Sequence, residues 1–213
     1  WEITGATFNS AAIAGAVGAE WEVQGSGDFS GDGRDDIVLR RDSDGMVVIW
    51  RNANWTTADF VGAAPGVWQI EAIGDFNFDG RDDFLWRNSS DGTIVTWLMN
   101  GGASTSQHVI SGAPLAWSIA AAADFDGDGR DDILLRNADG TLARWTTDGV
   151  TQTSAAIVGF VPTEWQIAGT GDFDRDGRAD ILWRNTTTGG AAIWRMDGAI
   201  QLGASMIGAA PLS

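Results

Sequence analysis

Gly-Asp-Phe-Ser-Gly-Asp-Gly-Arg-Asp-Asp-Ile, residues 27–37, decides the fold, because the chain repeats this stretch three more times. Close copies begin at Gly74, Ala123 and Gly171, so the steps between copies are 47, 49 and 48 residues. A period of this length is the sequence signature of solenoids, propellers and related repeat architectures. The chain of 213 residues therefore consists mainly of four homologous units.

Each unit contains short apolar segments separated by turn residues. In the fourth unit these segments begin at Trp165, Asp180, Ala191 and Ala199, with Gly, Asp, Asn or Thr between them. Such segments are typical of β-strands, and none keeps the apolar spacing of an amphipathic helix. Four strands per unit make one propeller blade. We predict an all-β fold, a β-propeller built from four-stranded antiparallel blades.

Tryptophan also recurs with the period of the repeat. One Trp precedes each acidic segment by a fixed interval and another follows it, and we predict that they pack as wedges between neighbouring sheets. Trp55 has no counterpart in the other units and is predicted to be an exposed contact residue. The recurring tryptophans are Trp21, Trp68, Trp117 and Trp165 before the segments, and Trp50, Trp97, Trp145 and Trp194 after them.

The two ends of the chain resemble each other, since residues 1–16 align without gaps on residues 194–209. We therefore expect a two-strand half-blade in front of four full repeats. Excision from a longer propeller, strands supplied by a partner chain, or an incomplete fifth blade each explain it. The predicted organisation is a single repeat domain, 1–213, divided into a half-blade at 1–20 and blades at 21–66, 67–116, 117–164 and 165–213.

The acidic segment has the spacing of a calcium-binding loop. Side-chain oxygens occupy positions 1, 3, 5 and 9, and the backbone carbonyl at position 7 offers another ligand. Glycine at position 6 permits a sharp turn, and hard oxygen ligands favour Ca²⁺. The predicted ligands are Asp28, Ser30, Asp32, the Arg34 carbonyl and Asp36; Asp75, Asn77, Asp79, the Arg81 carbonyl and Asp83; Asp124, Asp126, Asp128, the Arg130 carbonyl and Asp132; Asp172, Asp174, Asp176, the Arg178 carbonyl and Asp180.

Two other interpretations of these segments compete with calcium binding. Ordinary surface turns are also rich in Asp and Gly, although four near-identical copies argue against chance. An EF-hand needs a glutamate at position 12, which is Leu39, Trp86, Leu135 and Trp183 here. Three or four clustered carboxylates per segment repel one another unless a cation is present. We therefore predict one structural Ca²⁺ in each segment, four in all.

These motifs resemble the FG-GAP, or VCBS-type, repeats of integrin α-subunit propellers and of many secreted bacterial proteins. The resemblance covers essentially the whole chain. It rests on the acidic segments, on Ile181-Leu-Trp-Arg-Asn and its copies at 84–88 and 133–137, and on Phe60-Val-Gly-Ala-Ala-Pro. It implies a β-propeller with one Ca²⁺ per loop on an exported protein. Ser30 departs from the family pattern, and we expect that site to bind more weakly.

Composition excludes several classes of function. The formal charge of −16 opposes binding to nucleic acid, and no apolar run is long enough to insert into a membrane. All thirteen basic residues are Arg, Cys is absent, and His108 is the single His, so few nucleophiles and bases are present. We interpret His108 as a surface strand residue and predict no catalytic residues.

One arginine per unit forms a further repeated set. A ring of these side chains beside tryptophans would suit a carboxylate or a sugar. We favour the simpler interpretation that each Arg stacks on a Trp and pairs with an acidic loop. The set is Arg40, Arg87, Arg136 and Arg184.

Together these features predict an extracellular, bacterial, non-catalytic module that binds a protein or glycan ligand in adhesion. Its only expected cofactor is Ca²⁺, which is structural in each loop. The alternative is a structural subunit of an oligomer or extracellular filament that is joined through the unpaired half-blade.

Overall fold

A computed structural model describes residues 2–4, 7–10 and 15–209, and side-chain surroundings from residue 15 onward. Four four-stranded antiparallel sheets follow one another around a ring as a four-bladed β-propeller, and each sheet is a simple meander. The innermost strands of successive blades, β3, β7, β11 and β15, contact one another in that order. The strands are β3 Trp21–Gly27, β4 Asp36–Arg41, β5 Met46–Trp50 and β6 Ala58–Ala63 in blade 1; β7 Trp68–Gly74, β8 Asp83–Asn88, β9 Thr93–Asn100 and β10 Ala103–Gly112 in blade 2; β11 Trp117–Ala123, β12 Asp132–Asn137, β13 Thr141–Thr147 and β14 Gln152–Phe160 in blade 3; β15 Trp165–Gly171, β16 Asp180–Asn185, β17 Gly190–Asp197 and β18 Ile200–Ala209 in blade 4.

The all-β prediction and the four full repeats are confirmed, but the predicted half-blade is not shown. Strands β1 Glu2–Thr4 and β2 Thr7–Ser10 pair with each other in a separate two-stranded sheet. Among the described strands neither pairs with one of the blades. Residues 1, 5–6 and 11–14 of that predicted segment lie outside the described residues. No helix in the described part of the chain has the length and apolar character needed to span a membrane.

The hydrophobic core lies between the blades rather than within them. Each of three buried clusters takes residues from two successive sheets; Phe29 of blade 1, for example, packs on Phe84 of blade 2 with ring centroids 4.7 Å apart. Trp86 and Trp97 join the same cluster. A single sheet buries only one face at each junction, so a blade depends on its neighbours for stability. The predicted role as wedges between sheets is confirmed for six of the eight recurring tryptophans, which are buried in or packed against these clusters: Trp68, Trp97, Trp117, Trp145, Trp165 and Trp194.

Candidate metal loops and pockets between the blades

The predicted metal ligands lie in the four connections between the first and second strand of each blade. All four connections have the same backbone shape, because residues at positions 4 and 6 have positive φ in every copy. Position 6 is always glycine, with φ between +77° and +86°. Position 4 is Gly in two loops but Phe78 and Arg175 in the others, where the left-handed conformation is strained.

The aspartate at position 1 organises each loop through its own backbone. Asp28 accepts hydrogen bonds from the amides of Gly31, Asp32 and Gly33 at 2.7, 3.1 and 2.7 Å. Burial raises the pKa of Asp28, but these amide bonds outweigh burial and leave the pKa below its usual range. The equivalent carboxylates of Asp75, Asp124 and Asp172 accept the same kind of amide bonds.

The aspartate at position 9 opens the second strand and is almost completely buried in all four blades. Burial raises the pKa of both Asp83 and Asp132 to about 7, with nearby loop carboxylates adding to the shift. In Asp36 and Asp83 one oxygen accepts a backbone amide, from Asn52 and Met99, and the other oxygen has no hydrogen-bond partner. An unpartnered buried carboxylate oxygen could serve as a ligand for a cation.

Two of the loops gather three carboxylates at one point. In the third loop, oxygens of Asp124, Asp126 and Asp128 lie within 4.8 Å of one another, and Asp172, Asp174 and Asp176 do the same in the fourth. The first two loops carry Ser30 and Asn77 at position 3, so they have one carboxylate fewer. Two triple-aspartate groups could therefore hold metal ions.

Arg144 is a site residue that the sequence analysis missed. Its Nη1 lies 2.8 Å from Asp126 and 2.9 Å from Asp132, so it bridges positions 3 and 9 of the third loop. The equivalent position on the third strand is Ile49, Thr96 or Ile193 in the other blades, as the strand pairing shows. No repeat pattern could reveal it, because only this blade has a cation there. Arg144 competes with a metal for two predicted ligands.

The arginines at position 7 partly offset the charge of their own loops. Arg81, Arg130 and Arg178 lie 3.9, 3.5 and 3.4 Å from the position-5 aspartates Asp79, Asp128 and Asp176. These exposed pairs are weak. The assignment of the four position-7 carbonyls as ligands stays a prediction, as does the full ligand set. The donor chemistry, unpartnered oxygens and repulsion among carboxylates all fit a bound hard cation.

Neighbouring loops are also joined to each other. The amides of Asp82, Asp131 and Ala179, at position 8, donate to the position-1 carbonyls of the preceding loops, Asp28, Asp75 and Asp124. The Asp82 carboxylate accepts the Asp28 amide at 2.7 Å. Burial, together with the charge of neighbouring aspartates, raises the pKa of Asp131 to about 7. The four loops thus form one continuous acidic track.

Arg40, Arg87 and Arg136 bond to the segments that link the blades rather than to the acidic loops, so for these three the predicted pairing is wrong. Arg40 and Arg136 stack over Trp86 and Trp183 of the next blade, 5.5 and 5.6 Å from the ring centroids. Their guanidinium groups, and that of Arg87, donate to backbone carbonyls of the segment linking two blades. Arg184 donates to the Gly189 carbonyl of its own blade. Arg40, Arg87 and Arg136 thus fasten one blade to the next.

Three equivalent pockets lie between successive blades, one at each junction, with volumes of about 350, 360 and 240 Å³ in chain order. Each is walled by a proline of the linking segment, the first Trp of the next blade and the Trp of its third strand. Trp86 and Trp183 line the outer two pockets, and the indole N–H of each is buried without a partner. Leu135 takes their place in the middle pocket.

His108 and Trp55 lie away from loops and pockets. His108 is on the outermost strand of blade 2, with Nε2 3.0 Å from Ser106 Oγ, as expected for a surface strand residue. Trp55 is in a short 3-10 turn and is 57% exposed, which confirms the prediction of exposure.

Comparison with known proteins identifies the repeat. A family model described as an FG-GAP-like repeat matches residues 28–86, 75–135 and 124–183. Curated protein sequences give no significant match.

Solved structures share the fold at low sequence identity. A lectin of the fungus Agrocybe aegerita, described as recognising non-reducing terminal N-acetylglucosamine, is 20% identical with a TM-score of 0.66, covering 86% of this chain and 51% of the lectin. The Photorhabdus luminescens Tc holotoxin pore is 16% identical with a TM-score of 0.59, covering 92% of this chain and 10% of that chain. This chain thus spans about half the length of the lectin.

Proposed function

Because the chain belongs to the FG-GAP-like repeat family, we propose that it is a Ca²⁺-stabilised, non-catalytic propeller that binds a glycan in the pockets between its blades. The observation that supports this proposal is the set of three equivalent pockets at the blade junctions. Repetition of a pocket suits a ligand that presents the same terminal group many times, since several weak contacts then act together. We place the protein outside the cell, in a bacterium.

The pocket chemistry favours a sugar ring over a peptide. Two of the volumes, about 350 and 360 Å³, are at the lower end of the range for ligand pockets, about 300–1,000 Å³, and the third, about 240 Å³, is below it, so each pocket has room for no more than one ring. Indole and proline walls match the apolar C–H face of a sugar. The indoles of Trp68 and Trp165, at the walls of two pockets, are only half-buried and can stack on that face. The Agrocybe lectin makes N-acetylglucosamine the first probe.

Isothermal titration with N-acetylglucosamine and a panel of other monosaccharides tests this proposal. Trp68→Phe and Trp165→Phe each shrink the half-buried indole wall of one pocket, and each should weaken binding at one site. Trp55→Phe is the matched control on an exposed Trp and should bind like the original protein. Absence of binding to every sugar, or equal binding by all three variants, would refute the pocket assignment.

Calcium is proposed to stabilise the propeller rather than to take part in chemistry. Asp28, Asp75, Asp124 and Asp172 with their loop partners would hold it, and the bound cation would offset the clustered negative charge. This chain's own residues already set the loop shape through backbone amides. A Ca²⁺ ion in the third loop would have to displace Arg144 from Asp132, so we propose that this loop binds Ca²⁺ last.

Native mass spectrometry with and without chelator tests the metal proposal. We expect four Ca²⁺ per chain. As chelator is added, the ion in the third loop should be lost first and the other three after it. Arg144→Met should bring the third site level with the others, while Arg195→Met, at an exposed arginine of the equivalent strand in blade 4, should change nothing. A protein that binds no Ca²⁺ would exclude this role.

A further inference from the structure

At each of the three junctions between successive blades, one face of a blade is buried against one face of the next blade. We call the side of a blade toward the next blade its trailing face, and the side toward the preceding blade its leading face. On the trailing faces of blades 1 to 3, the loop phenylalanines Phe29, Phe76 and Phe125 are at most 1% exposed. They pack against leading-face residues of the following blade, as Phe29 does against Phe84.

The trailing face of blade 4 carries the same residues without the cover. Phe173, the counterpart of those phenylalanines, is 47% exposed. Leu182 and Ile193 are half-buried, although their counterparts Val38 and Ile49 in blade 1 are fully buried. A side chain built at Gly169 would meet nothing within 4 Å, whereas one at Gly25 of blade 1 would meet Ile73 of blade 2.

The leading face of blade 1 is open in the complementary region. Val23 on the innermost strand is 68% exposed, whereas its counterpart Ile119 in blade 3 is 9% exposed. Ile37 is half-buried, and its counterpart Phe84 is fully buried. The segment at Gly15 approaches the outer part of this face at Trp50 and Trp55, so the open part is near the centre of the ring.

The loops of blade 4 and blade 1 also lack the hydrogen bonds that join the loops at the other junctions. Asp35 is the counterpart of Asp82, whose carboxylate accepts the amide of Asp28 across a junction. Asp35 instead accepts the Ser26 hydroxyl of its own blade at 3.3 Å. Among the described residues, no backbone hydrogen bond joins the loop of blade 4 to that of blade 1.

We propose that the trailing face of blade 4 docks onto the leading face of blade 1 of a second copy of this chain, head to tail. The three internal junctions support this contact, because both open faces consist of the residue types that meet there. Val23 and Ile37 would pack on Phe173 and Leu182, and Asp35 would accept the Asp172 amide. Such a heterologous contact either closes a ring of copies or extends as a filament.

A complementation experiment tests this contact, with mass measured by light scattering over a concentration series. The unaltered protein should associate. Val23→Asp alters only the leading face and Phe173→Ser only the trailing face, so each should weaken self-association about tenfold or more. An equimolar mixture should form a one-to-one pair, since each variant retains the face that the other has lost. Leu115→Ser, at a 58% exposed leucine of the segment linking blades 2 and 3, lies on neither face, is the control and should associate normally.

Three results would overturn the proposal: a monomer at the highest soluble concentration, association of both variants at the original strength, or a mixture no heavier than its components. Circular dichroism and thermal denaturation of each variant separate loss of docking from loss of folding. Sugar titration of the monomeric variants separates this proposal from the proposed function, because the three pockets lie within one chain.

Discussion

Replacement of Asp83 by Asn distinguishes two effects of this carboxylate on the free energy of unfolding: destabilisation by a buried charge without metal, and stabilisation as a metal ligand. Asp83 is completely buried, and burial raises its pKa from 3.8 to about 7. Asn has nearly the same shape, keeps an oxygen for the Met99 amide, and cannot ionise. In chelator, the variant should therefore be more stable than the original protein at pH 8. In saturating Ca²⁺ it should be less stable.

The magnitude and sign follow from proton linkage. A raised pKa means that the folded state holds the proton more tightly than the unfolded chain. The protonated Asp83 carboxyl contributes its full stabilising free energy below pH 4, and this contribution is lost as the pH rises through 7. A shift of about three pKa units corresponds to about 4 kcal/mol. The unpartnered Asn N–H₂ group offsets about 1–3 kcal/mol of this gain, so we expect a net gain of about 1–3 kcal/mol for the variant at pH 8.

Urea denaturation from pH 4 to pH 8, in chelator and in Ca²⁺, measures this difference. The original protein should lose stability between pH 4 and pH 7 in chelator more steeply than Asp83→Asn. Asp91→Asn is the control: the Thr93 amide lowers the pKa of this exposed carboxyl, so any linkage has the opposite sign. Identical pH slopes for the original protein and Asp83→Asn in chelator would refute the reasoning.

Three further predictions concern stability. Arg87→Ala leaves the carbonyls of Ala113 and Pro114 without their donor and should cost about 2–4 kcal/mol in urea denaturation, whereas exposed Arg195→Ala should cost less than about 0.5 kcal/mol. Gly45→Ala and Gly33→Ala both strain a left-handed backbone, but only at Gly45 would the new Cβ lie 1.7 Å from a carbonyl oxygen. In chelator, Gly45→Ala should therefore lower the free energy of unfolding by at least about 2 kcal/mol more than Gly33→Ala does. Removal of Ca²⁺ should lower the melting temperature, and re-addition of Ca²⁺, but not of Mg²⁺ at the same concentration, should restore it.

Much of the candidate site could be predicted from the sequence because its determinants are local. The nine-residue spacing of the loop oxygens and the glycine at position 6 are properties of one short segment. The structure gives that segment the same backbone in every blade, even where Phe78 or Arg175 has to adopt positive φ. Pairing of the arginines with the acidic loops was wrongly predicted, because Arg40 and Arg136 bond to carbonyls about 25 residues away.

The sequence by itself determined the repeat, the four-stranded blade and the acidic loops, since alternation, turn residues and ligand spacing act over a few neighbouring residues. Only the tertiary structure decided which faces become core, that Asp83 and Asp132 are buried, that Arg144 enters a loop, and that pockets form between blades. Among the described residues, it also revealed exposed apolar side chains on one face of blade 4 and one face of blade 1, such as Phe173 and Val23. Each of these depends on contacts between successive sheets, whose burial and charge no single repeat contains.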